Sequence, residues 1–179
     1  MSKNILILSG SPRKGGTTDK LVSAFMAGAE SANKKATLFR VADQTINGCL
    51  GCIHCRNNNA DCIQNDDMTA IAEAFKTSDA ILFASPVYFF TFSAQLKLAI
   101  DRTYAVPNDK TTIKRAALLL SCGDSSGNAA EGAIITYKHT LSYRKWEDAG
   151  VVIIPGVHGI SDIDLQEKLE QAKQLGVEI

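Results

Sequence analysis

The chain has 179 residues, 45% of them hydrophobic, and its 19 Lys and Arg are balanced by 19 Asp and Glu. That length supports one domain, residues 1–179, with a sizeable core, and the charge balance offers neither a basic field for nucleic acid nor an acidic tail. No apolar stretch approaches the ~20 residues of a membrane span, and the first residues are too poor in apolar side chains for a signal-peptide core, so the expected compartment is the cytoplasm, with reduced thiols.

In chain order, Ile5, Leu6, Ile7 and Leu8 form a continuous apolar run, which predicts a strand buried on both faces. The loop after it runs from Ser9 to Thr18 and carries hydroxyls, glycines, Arg13 and Lys14. Leu21, Ala24, Phe25 and Gly28 then follow the i, i+3, i+4, i+7 spacing of a helix. Free N–H groups and the positive dipole end at a helix start make an anion site, most often for phosphate. Two familiar phosphate loops are excluded. Lys14 precedes its Gly pair, whereas a Walker loop places Lys after glycine. Counted from Gly10, a dinucleotide fingerprint needs its second glycine at position 12, where Pro12 stands. The hydroxyls of Ser9, Ser11, Thr17 and Thr18 suit a monophosphate.

Residues 37–41 read as a second strand, at a sheet edge because Arg40 interrupts it. Met68, Ile71, Ala72 and Phe75 mark a helix that Asp66 or Asp67 would cap. Residues 80–84 form a third, fully buried strand; Leu96, Ala99, Ile100 and Thr103 mark the next helix. Residues 116–120 and 151–154 are two more buried strands, with residues 128–148 mostly helical between them and residues 163–175 helical at the end. Five strands alternating with helices imply right-handed crossovers and a parallel sheet covered on both faces, in the order 2-1-3-4-5. Ligands of such α/β sheets bind beyond the carboxyl ends of the strands, at the switch point between strands one and three.

The loop after the third strand holds Tyr88, Phe89, Phe90 and Phe92, an aromatic density that points to a planar ligand or a partner subunit, with a small satellite core as the plainer reading. The loop after the fourth strand, with Ser121, Cys122, Gly123 and Asp124, is small and polar.

Cys49-x2-Cys52-x2-Cys55-x6-Cys62 follows the second strand and places four of the five cysteines within one loop. This compact set points to soft metal chemistry, as in ferredoxin-type [4Fe–4S] ligation. Structural zinc, a disulfide, or a loop shaped by Cys and Gly without any cluster remain open. Cys122 reads as a small apolar residue at a strand end. His54 lies inside the cysteine loop, where a metal ligand is the alternative to the plainer reading as a solvated loop residue; His139 reads as a surface residue; for His158, after the fifth strand, reach to a bound ligand's edge is the alternative to a plain loop histidine.

Gly10-Ser11-Pro12-Arg13 with Gly16-Thr17-Thr18, then Ser85-Pro86-Val87-Tyr88, then Lys97 and Asp101-Arg102 resemble the flavodoxin-like NAD(P)H-dependent FMN reductase and iron-sulfur flavoprotein group. The family often has Asn where Thr17 stands. The resemblance implies a flavodoxin-like three-layer sandwich that binds FMN. Ser9, Ser11, Arg13, Gly16, Thr17 and Thr18 would surround the phosphate; Pro86, Val87, Tyr88 and Phe89 would line the ring and ribityl chain; Ser121, Gly123 and Asp124 would approach the ring's polar edge. It implies hydride transfer from NAD(P)H to FMN and on to a second substrate in a ping-pong cycle, with no catalytic side chain, because the reacting atoms are the cofactor's. The electron acceptor would be a small molecule or a protein, and the assembly a homodimer or homotetramer. The rival implied by the same group is an electron carrier with a [4Fe–4S] cluster on Cys49, Cys52, Cys55 and Cys62 beside FMN.

Overall fold

A computed structural model describes residues 3–58, 61–158 and 162–179. Its central sheet runs β2-β1-β3-β5-β6, all parallel: β1 Asn4–Ser9, β2 Lys35–Arg40, β3 Ala80–Tyr88, β5 Arg115–Ser121 and β6 Glu147–Ile154. These are the five expected strands in the expected order, and β2 lies at the edge as Arg40 suggested. A sixth strand, β4 Thr91–Phe92, pairs antiparallel with the end of β3.

The continuous apolar runs follow from burial on both faces. On one face, Leu6 and Leu8 of β1, Ile81 and Phe83 of β3, and Leu118 and Leu120 of β5 pack under α3 Met68–Thr77, α4 Ala94–Arg102 and α5 Glu131–Arg144. On the other, Ile5, Ile7, Leu82 and Leu119 meet α1 Thr17–Ser31 and α6 Asp162–Glu178. The helices α1 and α6 approach closely enough that a Cβ on Gly28 would come within 1.9 Å of the Lys173 carbonyl oxygen, so only glycine fits there.

Several boundaries differ from the sequence reading: the second strand is Lys35–Arg40, not residues 37–41, and two further differences have a local cause. Residues 147–148 belong to β6 and not to the preceding helix. Lys145 takes a left-handed conformation (φ 58°), and the Trp146 N–H donates to Leu141 O, which ends α5. As an edge strand, β6 tolerates polar Glu147 and Asp148 at its start. The second difference is at β3, which runs past its partners: β1 pairs it to Ala84 and β5 to Pro86, so Val87 and Tyr88 project beyond the sheet and pair only with β4.

Candidate functional site

The carboxyl ends of β1, β3, β5 and β6 converge on one cavity of about 350 Å³. Its first wall is the loop between β1 and α1. Ser11 is buried, and its Oγ accepts from the Arg13 N–H at 3.3 Å, which curls the loop back on itself. No side chain caps α1 at Gly16. Its first N–H groups and positive dipole end therefore lie beside the hydroxyls of Thr17 and Thr18. Arg40 braces the loop from β2. It donates to Ser11 O at 3.2 Å and pairs with Asp19, whose other oxygen accepts from the Gly15 N–H at 2.7 Å. The edge-strand cation is thus a strut for the loop between β1 and α1.

The second wall is the projecting end of β3, and the third is the end of β5. Thr18 Oγ1 and Ser121 Oγ share a buried 2.9 Å hydrogen bond that fastens the first and third walls together. From below, Ser93 caps α4 and donates to Gly10 O at 2.8 Å, while its N–H donates to Ser85 Oγ. A Cβ on Gly10 would sit 2.4 Å from Ser93 Oγ, so this contact requires glycine.

The β3–β4 connection is a two-residue turn, Phe89 and Phe90, with φ of 48° and 72°. Two-residue hairpins favour Asn-Gly because both central residues need positive φ. Here two aromatics occupy those positions, 95% and 63% exposed, with their rings edge to face at 5.6 Å. The carbonyl of Phe90 seats against Gly132 of α5, where a Cβ would approach to 2.4 Å.

A second cavity lies beside the first sheet face and is lined by Cys49, Cys52, Cys55 and Cys62 together. The first two are exposed and the other two half-buried. Left-handed residues at Gly51 (φ 63°) and Ile53 (φ 52°) turn the chain between thiols, and α2 His54–Asn57 follows. Arg102, from the end of α4, lines the same cavity and pairs with Asp66 at 2.9 Å, the two side chains 2% and 4% exposed. Burial works against both charges. Their mutual hydrogen bonds outweigh it, holding Asp66 below the usual carboxylate range and Arg102 above its ordinary value.

The model for NADPH-dependent FMN reductases matches residues 3–155. The chain belongs to that family. It is 37% identical over 93 residues to an iron-sulfur flavoprotein of Archaeoglobus fulgidus, covering 52% of this chain and 42% of the relative. It is 30% identical over 128 residues to an iron-sulfur flavoprotein of Methanosarcina thermophila, covering 71% and 66%. It therefore spans about half to two thirds of the curated relatives it matches. In fold it is similar to an NAD(P)H:quinone oxidoreductase from Methanothermobacter marburgensis, with a TM-score of 0.80 at 18% identity over 99% of this chain and 96% of the other.

The first cavity fits the cofactor of an FMN reductase. Ser11, Arg13, Gly16, Thr17 and Thr18 line the end with the uncapped helix start, a donor set that would suit a phosphate; Pro86, Val87, Tyr88, Ser121 and Gly123 line the remainder. Three expected residues lie off it. Ser9 is buried beneath the loop, and its Oγ has no hydrogen-bond partner. Phe89 is at the exposed hairpin tip and is not part of the lining. Asp124 holds its own loop, accepting from Ser126 Oγ and the Ala129 N–H; the Ser126 bond chiefly lowers its pKa. Val157, which sequence reading passed over, and His158, which it preferred as a plain loop histidine, complete the lining from the loop after β6. The available signal was position: His158 follows a strand whose carboxyl end faces the same side as β1 and β3.

The donor set of the second cavity suits a thiolate-ligated iron–sulfur cluster, with four soft sulfurs beside the apolar Leu50, Ile53 and Ile63. Among the described residues, no three Cys, His, Asp or Glu side chains stand at metal-holding separation, so the thiols share a cavity without being drawn together. His54 lines it too, and its Nδ1 lies 3.4 Å from Asn58 Nδ2. Cys122 is remote and buried: its thiol donates to Asp124 O at 3.2 Å, and burial pushes its pKa up.

Proposed function

We propose that the protein is an NAD(P)H-dependent FMN oxidoreductase working as one FMN-binding domain, with a quinone or flavin as electron acceptor. The observation that carries this reading is the single cavity in which the uncapped start of α1 and its hydroxyls meet the projecting end of β3. FMN, when bound, supplies hydride acceptance and one- or two-electron transfer. The chain's residues do the holding. Ser11, Thr17 and Thr18 with the α1 N–H groups would donate to the phosphate, and Arg13 would add a charge-assisted contact. Pro86, Val87 and Tyr88 would flank the planar ring and leave one face open to a nicotinamide. Ser121, Gly123 and His158 would approach its edge. The exposed Phe89–Phe90 tip supports a homodimer or homotetramer whose second subunit closes the site. No helix among the described residues is long and apolar enough to cross a membrane.

A second reading, an iron-sulfur flavoprotein that passes single electrons, is favoured by four thiols on one cavity and by the names of the curated relatives. Anaerobic purification with an iron assay and NADH and NADPH oxidation kinetics separates the two. Turnover without iron supports the reductase. Iron with bound FMN and no nicotinamide oxidation supports the carrier.

A further inference from the structure

The cysteine loop leaves the core and returns to it through a narrow neck, and one buried cation holds both sides of that neck. On its outer strands, the Thr45 N–H donates to Asp67 Oδ2 at 2.7 Å and the Asp67 N–H to Thr45 O at 3.2 Å. Closer in, the Asn47 N–H donates to Asp66 Oδ2 at 3.0 Å, and Gln64 Nε2 to Gly48 O at 3.0 Å. Arg102 completes the neck with its fork. Nη1 donates to Asn47 O at 2.9 Å on the outgoing side, and Nη2 to Gln64 O at 3.4 Å on the returning side; both nitrogens also reach the Asp66 carboxylate. Its Nε is buried with no hydrogen-bond partner, and Cys62 lines the same cavity. Arg102 is 3% exposed, and its fork is spent on the loop neck.

The geometry points to Arg102 as the positioning residue of the four-thiol loop. It closes the loop between Asn47 and Gln64, keeping Cys49 and Cys62 on one cavity, and sets a fixed positive charge against the thiolates any bound metal would require. Arg is suited to this and Lys is not, because only the planar fork reaches two carbonyls and a carboxylate at once. The inference rests on the reading of these thiols as soft-metal donors, and adds to it the group that assembles them.

The test uses the FMN-loaded full chain, reduced and anaerobic, titrated with cadmium and followed by sulfur-to-cadmium charge-transfer absorbance. Wild type should bind cadmium with the absorbance of four thiolates. Arg102→Lys keeps the charge and loses the fork; Arg102→Gln with Asp66→Asn leaves no unpaired buried charge and is the variant expected to fold if the first does not. Each should bind cadmium at least about tenfold more weakly and with fewer thiolates at saturation, while FMN affinity stays within about twofold, since α1 and its loop are untouched. In wild type itself, cadmium should slow amide exchange at Thr45, Asn47 and Asp67 together by at least about tenfold, because neck and thiols form one unit. Wild-type cadmium affinity and absorbance in either folded variant, or unchanged exchange at the neck, overturns the role of Arg102. Failure of wild type to bind cadmium through its thiols overturns the metal-donor reading as well, and leaves the FMN reading standing.

Discussion

The loop after β1 and the loop after β2 both leave the carboxyl edge of the sheet, but they are held by different means. The first is short and lies on the core. Ser93 grips Gly10 from below, Thr18 meets Ser121 across the cavity, and Arg40 braces it from the side. Its shape is over-determined, and the donors it would offer a phosphate are backbone N–H groups and hydroxyls with the charge of Arg13 beside them. The second is a long excursion whose thiols lie at the surface or half-buried, and its attachment is concentrated in the Arg102–Asp66 pair at the neck. A phosphate site needs preformed donors. A thiolate site can be drawn together by the metal it binds, so it needs only its ends fixed.

The contrast is broken most severely at the neck. Asp66→Ala leaves Arg102 buried without its carboxylate and is expected to cost about 3–5 kcal/mol, lowering Tm by roughly 10 °C. A loss below about 1 kcal/mol in calorimetry would show that the neck is not held by this pair. The same group gives a pH signature. Because the folded Asp66 pKa is lowered, its stabilisation is complete above the unfolded value of about 3.9 and is lost as pH falls through the lower folded value. Wild type should therefore lose a component of stability below about pH 4 that Asp66→Ala never has.

At the first loop the effect should be confined to one ligand. Arg13→Ala with Thr17→Val removes a charged and a hydroxyl donor, about 1.5–3 kcal/mol, and should weaken FMN more than tenfold while riboflavin changes within about twofold. Thr17 is the better target than Thr18, whose hydroxyl is already bonded to Ser121. Equal weakening of both ligands, in fluorescence titrations, would place the phosphate elsewhere.

The hairpin tip provides a smaller change of opposite sign. Phe89→Asn with Phe90→Gly installs the residues that positive φ favours and should stabilise the separated subunit by about 1–2 kcal/mol. Light scattering should show weaker self-association. An unchanged oligomer would free the two aromatics from that role. The smallest effect is expected at Cys122→Ser: stability should change by less than about 1 kcal/mol, with iron content and FMN binding unaltered, because the residue touches neither cavity.

Much of this was legible in the chain. Ile5 to Leu8 and residues 80–84 and 116–120 announce themselves because a parallel strand covered on both faces needs no polar alternation. The anion loop is local, so its hydroxyls and the helix start after it could be read together. The β4 strand could not, since a Phe-Phe turn lacks the Asn or Gly that marks a hairpin. Arg40 was legible only as the mark of an edge strand and Arg102 only as part of a family-like Asp101-Arg102 pair; their partners, Asn47, Asp66, Ser11 and Asp19, are remote in sequence. His158 joins the cavity only because β6 ends beside β5. The placement of Ser9 under the loop and of Asp124 on its own turn follows from which way each backbone bends, and composition does not encode that.

The most direct measurement is an anaerobic titration of the FMN-loaded protein with NADPH and with NADH, following the flavin absorbance. At least one nucleotide should bleach the flavin stoichiometrically, one reduced nicotinamide for each FMN, and a quinone added afterwards should restore the oxidised spectrum. Protein that retains FMN but is bleached by neither nucleotide would contradict the reductase account.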